Sequence, residues 1–238
     1  MFFISPPFGT YLDFSNTISI KGSFTLLPRP GLIGQIIRTL RYDSRYKGWI
    51  NKIGLRNPGI DYAIEKYKNK DCIISVAILE EEDIPILLKK IPKNMNLELN
   101  VSCPNTEKKM INEGLKDFLN PNREWCIIKL SPLTDEKLID NYYREGFRQF
   151  HCSNTLQISS DKGDIKGGVS GKTLMKYNKK LIPYIKNNYK DSIVIAGGGI
   201  QNMKDVEYYR SLGTDHFSFS TVCFNPFKTI KLLRTRFN

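Results

Sequence analysis

Residues 71–106 read DCIISVAILEEEDIPILLKKIPKNMNLELNVSCPNT. Cys72 to Ala77 is a short apolar run rich in β-branched side chains, the composition of a buried strand. Ile84, Leu87, Leu88 and Ile91 then fall at i, i+3, i+4 and i+7, which gathers them on one face of a helix. Leu97 to Ser102 is strand-like again. Parallel strands cannot be joined by a tight turn, so this spacing of strand, helix and strand predicts a parallel βαβ unit.

The unit recurs in both directions. Further strands are expected at Phe2 to Ser5, Thr17 to Phe24, Trp125 to Leu130, Gln149 to Ser153, Ser192 to Ala196 and His216 to Ser220. Leu138, Ile139 and Tyr142, and then Leu181, Ile182 and Ile185, mark one-sided helices between them, the second kinked or split at Pro183. Eight such units in 238 residues fit an α/β fold of the (β/α)8 barrel type, whose usual length is about 250 residues. Pro6 to Asn16 is too short and too aperiodic for a crossover helix, so an abbreviated first unit is expected. Nothing reads as a linker, and residues 1–238 are expected to form a single domain.

Composition supports an ordinary globular protein: 40% of residues are hydrophobic, which excludes a disordered or collagenous chain. No apolar run approaches the roughly 18 residues of a membrane span, and the N-terminus lacks a secretory signal, so a cytoplasmic protein is expected with no membrane association. The net charge of +12 is scattered rather than blocked, a pattern that favours a solvated basic surface over a nucleic-acid partner. Cys72, Cys126, Cys152 and Cys223 sit mainly in apolar runs and read as buried free thiols, whereas Cys103 stands in a Pro-Asn loop.

In such barrels the chemistry lies at the carboxyl ends of the strands. There the sequence is polar and small: Asn100, Ser102, Cys103, Asn105 and Thr106 after one strand, and Ser153, Asn154 and Thr155 after another. Lys129 lies inside an apolar strand whose alternation turns it toward the barrel mouth, where burial demands an anionic partner. GGVSG at Gly167 to Gly171 and the GGG of Gly197 to Gly199 each lead toward a helix, and backbone amides at such turns suit a phosphate. GGVSGKT is not a P-loop, because Lys166 occupies the place of its first glycine. Each feature has a plainer reading beside it. The glycines also suit tight turns, Asn100 and Asn154 also suit helix caps, His151 reads as structural, and Cys103 is either inert or an acid-base group.

Taken in order, GSFTLLPRPG (Gly22 to Gly31), INKIGLRNPGID (Ile50 to Asp61), LNVSCPNT (Leu99 to Thr106), IIKLSP (Ile127 to Pro132), SNTL (Ser153 to Leu156), GGVSG and AGGGI (Ala196 to Ile200) resemble the dihydroorotate dehydrogenase family over nearly the whole chain. That resemblance implies FMN as cofactor and dihydroorotate, oxidised to orotate in pyrimidine biosynthesis, as substrate. It places Cys103 as the base that takes a proton while the neighbouring ring carbon gives a hydride to flavin N5, and Lys129 beside the flavin pyrimidine edge. Asn51, Asn100, Asn105 and Asn154 match the substrate-binding amides, joined by Gly54, Leu55 and Thr155 along the pocket. Gly22, Ser23, Asn100 and Lys129, with Gly168, Gly198, Gly199, Ser220 and Thr221 on the phosphate side, match the cofactor contacts. No metal is implied. A homodimer is what the soluble class suggests, while the electron acceptor stays open among fumarate, a nicotinamide-linked partner and quinone.

Departures accompany the matches. Cys103 resembles the soluble class, whereas Gly22 stands where that class has a lysine and Lys21 falls on the opposite strand face. Ser220 replaces a glycine expected close to phosphate, and the short first unit removes part of the expected cofactor wall. Two other readings remain beside the leading one: a flavin enzyme acting on another reduced pyrimidine, such as uracil in RNA, and a shortened barrel that serves as a non-catalytic scaffold.

Overall fold

The computed structural model describes residues 1–101, 114–159 and 166–234 of the chain. Strands β1 (Phe2–Ile4) and β2 (Thr17–Phe24) are joined by a loop that holds one 3-10 turn, Phe8–Thr10, and no α-helix, as the aperiodic sequence there implies. Next come α1 (Leu32–Thr39), β3 (Arg41–Asp43), β4 (Gly48–Asn51) and α2 (Ile60–Tyr67). Strand β5 (Ile73–Ala77), α3 (Asp83–Lys90) and β6 (Leu97–Asn100) form the expected βαβ unit. They are followed by β7 (Cys126–Leu130), α4 (Glu136–Arg144), β8 (Gln149–Cys152), β9 (Leu156–Ser159) and β10 (Lys166–Gly171). The chain continues through α5 (Met175–Asn188), β11 (Ile193–Gly197), α6 (Met203–Ser211), β12 (His216–Phe219) and α7 (Pro226–Arg234).

The eight expected strands pair in parallel and close on themselves in the order β1-β12-β11-β8-β7-β6-β5-β2. Their outward residues, among them Ile74, Val76, Leu97, Leu99, Ile128 and Val194, pack with Leu87, Ile139, Ile182 and Val206 of the helices. Each such fully buried side chain stabilises the fold by about 1.5–3 kcal/mol. Two of the helices begin at a side-chain cap: at α4 Asp135 accepts from the Leu138 amide at 2.8 Å, and at α6 Asn202 accepts from the Asp205 amide at 3.3 Å.

Inside the barrel, Phe3, Ile20, Ile73, Trp125, Ile127 and Ile195 form an apolar plug toward the amino ends of the strands. Strand side chains repeat every second residue, so the next inward layer is Ser5, Gly22, Ser75, Lys129 and Gly197. Glu98 and His151 belong to that same buried layer. The interior thus changes from hydrocarbon to polar within two residues.

Two features differ from the sequence reading. A second sheet, antiparallel and ordered β3-β4-β10-β9, lies outside the barrel, with Ile50, Leu156, Val169 and Leu174 as its own small core. Gly167 to Gly171 is therefore strand β10 rather than a phosphate-binding turn. In addition, α5 runs as a single fourteen-residue helix through Pro183. Leu181, Ile182 and Ile185, buried around the proline, hold it against the barrel where its missing donor would otherwise break it.

Candidate active site

The polar layer is one connected network. Glu98, 0% exposed, accepts from Lys129 Nζ at 2.9 Å and from Ser75 Oγ at 2.8 Å through Oε1, and from His151 Nδ1 at 2.5 Å through Oε2. Ser75 is bonded to Ser23 at 2.8 Å, Asn100 Nδ2 donates to Ser23 Oγ at 3.2 Å, and Asn154 Nδ2 donates to Asn100 Oδ1 at 3.0 Å. Side chains from five barrel segments are thereby tied into one block, which fixes their rotamers. Lys129 is 6% exposed, and the anion its burial requires is Glu98 of the same chain.

Burial raises the Glu98 pKa, but the charge of Lys129 and the hydrogen bonds from Lys129 and His151 together outweigh it and hold the carboxyl well below the usual carboxylate range. Burial lowers the His151 pKa, and the attraction of Glu98 does not restore it. A carboxylate accepts only, so neutral His151 carries its proton on Nδ1. Both shifts favour the folded state at neutral pH, because the unfolded chain binds more protons as acid is added. Stability is therefore expected to fall as pH drops below the ordinary histidine value of 6.5, and further below the ordinary Glu value of 4.5. His216, also shifted down by burial, contributes to the first step. Thermal melts from pH 8 to pH 4 check this, and a melting temperature flat between pH 7 and pH 5 would refute it.

Two adjoining cavities open above the network, of about 280 and 250 Å3. Asn51, Lys129, Asn154 and Thr155 line both. Gly198, Gly199, Ser220 and Thr221 line the first. Gly22, Ser23, Gly54, Leu55, Asn100 and Gly168 line the second. Gly198 and Gly199 hold φ of +86° and +88°, and a Cβ on them would lie 2.6 Å from Leu174 Cδ1 and 2.9 Å from Lys172 Cα, so the turn admits only glycine. Ser220 Oγ donates to Pro6 O at 3.1 Å, and Thr221 Oγ1 accepts from Gln201 Nε2 at 3.3 Å. Gly168 stands in β10 opposite Asn51, on the same side as the expected substrate residues rather than at the glycyl turn.

The segment before α2 is held by Asn57. Its Oδ1 accepts from the Thr25 and Gly59 amides at 3.1 and 2.8 Å, and its Nδ2 donates to Leu55 O at 2.7 Å, which supports Leu55 at a φ of +55° beside the second cavity. Lys21 points away from both cavities and pairs with Asp13 at 2.5 Å. Ser102, Cys103, Asn105 and Thr106 lie outside the described residues. Of the other cysteines, burial pushes the Cys126 and Cys223 thiols up to about 11 and raises those of Cys72 and Cys152. Cys223 is half-buried in the 3-10 turn Thr221–Phe224 rather than in a strand. Among the described residues no cluster of His, Cys, Asp and Glu is placed to hold a metal ion.

A family model described as Dihydroorotate dehydrogenase matches residues 10–225. The chain belongs to the dihydroorotate dehydrogenase family. Two catalytic subunits named dihydroorotate dehydrogenase B (NAD(+)) are among its relatives. That of Staphylococcus carnosus is 28% identical over 216 residues, 79% of this chain and 70% of the relative. That of Lachnoclostridium phytofermentans is 26% identical over 275 aligned residues, 96% of this chain and 86% of the relative. The solved ligand-free dihydroorotate dehydrogenase of Eimeria tenella shares the barrel with a TM-score of 0.72 at 18% identity, over 97% of this chain and 81% of that one. The chain is thus an oxidoreductase-family barrel.

In this dihydroorotate dehydrogenase relative, the sequence reading missed Glu98, Ser75 and Asn57, and took His151 as merely structural. A signal for Glu98 existed. It is the single acidic residue in the eight strand-like runs, and alternation with Leu97 and Leu99 puts it on the face of Asn100, where buried Lys129 needs an anion.

Proposed function

We propose that this chain binds FMN and oxidises dihydroorotate to orotate, a step of pyrimidine biosynthesis, in the cytoplasm. The observation that carries this reading is the single hydrogen-bonded block that joins Lys129, Asn100 and Asn154 beneath two adjoining cavities, one of them ending at the Gly198–Gly199 turn. Cavities of a few hundred Å3 with apolar walls and a few convergent polar groups are where small molecules bind.

The residues present fit a flavin phosphate. The Gly198–Gly199 turn lines the first cavity with backbone alone, since a Cβ on either glycine would collide with Leu174 or Lys172, and the buried Ser153 Oγ of the same cavity lining has no hydrogen-bond partner among the described residues. Pro6, Pro7, Phe8 and Tyr11 of the short first crossover line the same cavity, so the abbreviated unit still supplies wall. Gly198 and Gly199 would hold the phosphate, and Lys129 the pyrimidine edge of the ring. Bound FMN would supply the two-electron acceptor.

The protein's own part is positional. Asn51, Asn100 and Asn154 offer donors and acceptors together, which suits a flat, amide-edged substrate ring. Lys129, fixed by Glu98, holds positive charge where negative charge develops, at no cost in reorganisation. Following the family resemblance, Cys103 removes the ring proton, with Asn105 beside it on the substrate. The relatives' names favour a nicotinamide-linked electron acceptor over fumarate or quinone. No helix among the described residues is long and apolar enough to cross a membrane.

The test is anaerobic. Purified protein is expected to turn yellow with FMN and to bleach when dihydroorotate is added, after which candidate acceptors restore the colour. Cys103→Ala is expected to keep the flavin and lose rapid bleaching by at least about a hundredfold, the usual scale of a proton-transfer group. Protein that stays colourless with FMN would overturn the flavin reading. Unchanged bleaching in the variant would remove Cys103 from the reaction.

A further inference from the structure

Behind the glycyl turn, two helices send polar side chains to its carbonyls. Asn178 of α5 and Tyr209 of α6 are both fully buried, and neither lines the cavity. Asn178 Nδ2 donates to Gly197 O at 2.7 Å and lies 2.9 Å from the Tyr209 hydroxyl and 3.3 Å from Cys152 O. The Tyr209 hydroxyl donates to Gly198 O at 2.6 Å and lies 3.2 Å from Gly197 O. The carbonyl ends of β8 and β11 and the first two peptides of the turn are thus gathered on one buried pair.

A trans peptide is planar, with its C=O and N–H pointing in opposite directions. The Gly197–Gly198 and Gly198–Gly199 peptides are trans. Their carbonyls are drawn toward α5 and α6, so the N–H groups of Gly198 and Gly199 point the other way, to the side where these glycines line the cavity. A glycine peptide with positive φ has no side chain to lock its orientation, and without an anchor on the carbonyl it is free to flip.

We propose that Asn178 and Tyr209 are positioning residues that aim the Gly198 and Gly199 amides at the phosphomonoester end of the bound ligand. The assignment rests on the flavin reading above. It goes beyond that reading by naming residues that touch neither ligand nor solvent and act through the direction of two peptide planes.

Riboflavin, which is FMN without its phosphate, separates this role from general support of the fold. Titration of flavin fluorescence with wild type is expected to show FMN bound more tightly than riboflavin. Tyr209→Phe keeps the ring and drops one hydroxyl, and is expected to weaken FMN about tenfold, the scale of one well-placed hydrogen bond, while riboflavin affinity holds. Asn178→Ala, read by the same FMN-to-riboflavin ratio, provides a second measurement should either variant fold poorly. An unchanged ratio in both variants, or an equal loss for the two ligands, overturns the brace and leaves the flavin reading intact. Wild type that does not prefer FMN overturns the phosphate reading itself, and the brace with it.

Discussion

Glu98→Gln is expected to lower the melting temperature by roughly 6–20 °C. The substitution preserves shape and removes one charge. Lys129, 6% exposed, then has no ion-pair partner among the described residues, and an uncompensated buried charge costs about 3–5 kcal/mol. In a chain of this size each kcal/mol moves the melting point by about 2–4 °C. The new amide also has a donor nitrogen that must face either the His151 Nδ1–H or the Lys129 ammonium, both donors themselves. Glu98→Gln/Lys129→Met, which removes both members of the ion pair, is expected to be more stable than the sum of the two single changes requires, since the residues touch and their effects do not add. Asp61→Asn supplies the contrast: its pair with Lys90 at 2.7 Å has Asp61 70% exposed, and such surface pairs contribute at most about 1 kcal/mol. Circular-dichroism melts at pH 8 read wild type and the four variants, Glu98→Gln, Lys129→Met, the double change and Asp61→Asn. A Glu98→Gln melting point within about 2 °C of wild type would mean that water or another group compensates Lys129, and the rigid block beneath the cavities would lose its basis.

The barrel was legible because each of its strands announces itself locally. Runs such as Ile73–Ala77 and Cys126–Leu130 are buried on both faces and read as apolar stretches interrupted only by Ser75 and Lys129, and the helices between them carry a 3.6-residue stripe. The outer sheet was not legible, because its strands carry turn residues. Gly48–Asn51 is four residues long, and Lys166–Gly171 is half glycine, with strand pairing supplied by a segment more than a hundred residues away. Glycine signals a tight approach of backbone, and sequence does not tell whether the approaching partner is a phosphate or a neighbouring strand. The Gly197 to Gly199 turn and the Gly167 to Gly171 strand look alike as text, yet the first lines a cavity and the second pairs with β4 and β9. At the site, the matched motifs brought Asn51, Lys129, Asn154 and Thr155 to both cavities and Asn100 to the second. The residues that hold them there were harder to see. Glu98, Ser75, Asn178 and Tyr209 act through other residues, so no motif around a ligand marks them.

Gly9→Ala is expected to be the most damaging single methyl group in the chain's first crossover. With only a loop to join β1 and β2, the backbone must pass directly over the strand ends. A Cβ on Gly9 would lie 2.2 Å from Ile4 O and 2.3 Å from Ile20 O, main-chain atoms of the two barrel strands rather than yielding side-chain tips. The loop has little slack for moving away. Gly9 N donates to Ser5 O at 3.0 Å, Thr10 Oγ1 bonds Gly22 on both sides, accepting from its amide at 3.0 Å and donating to its carbonyl at 3.3 Å, and Phe8 packs edge-on against Phe224 with ring centres 4.8 Å apart. Overpacking against fixed neighbours costs about 3 kcal/mol or more at its upper end, or roughly 6–12 °C here. Pro6, Pro7 and Tyr11 of the same loop line the first cavity, so flavin affinity should fall with stability. Gly34→Ala is the control. Gly34 lies within α1 with nothing inside 4 Å of the added methyl, and there alanine should stabilise by about 0.5–1 kcal/mol. Equal melting points for Gly9→Ala and wild type would show that the crossover can lift off the barrel without penalty. The first cavity would then have a wall too loose to position a ligand, and the scaffold reading of this shortened barrel would gain the ground that the enzyme loses.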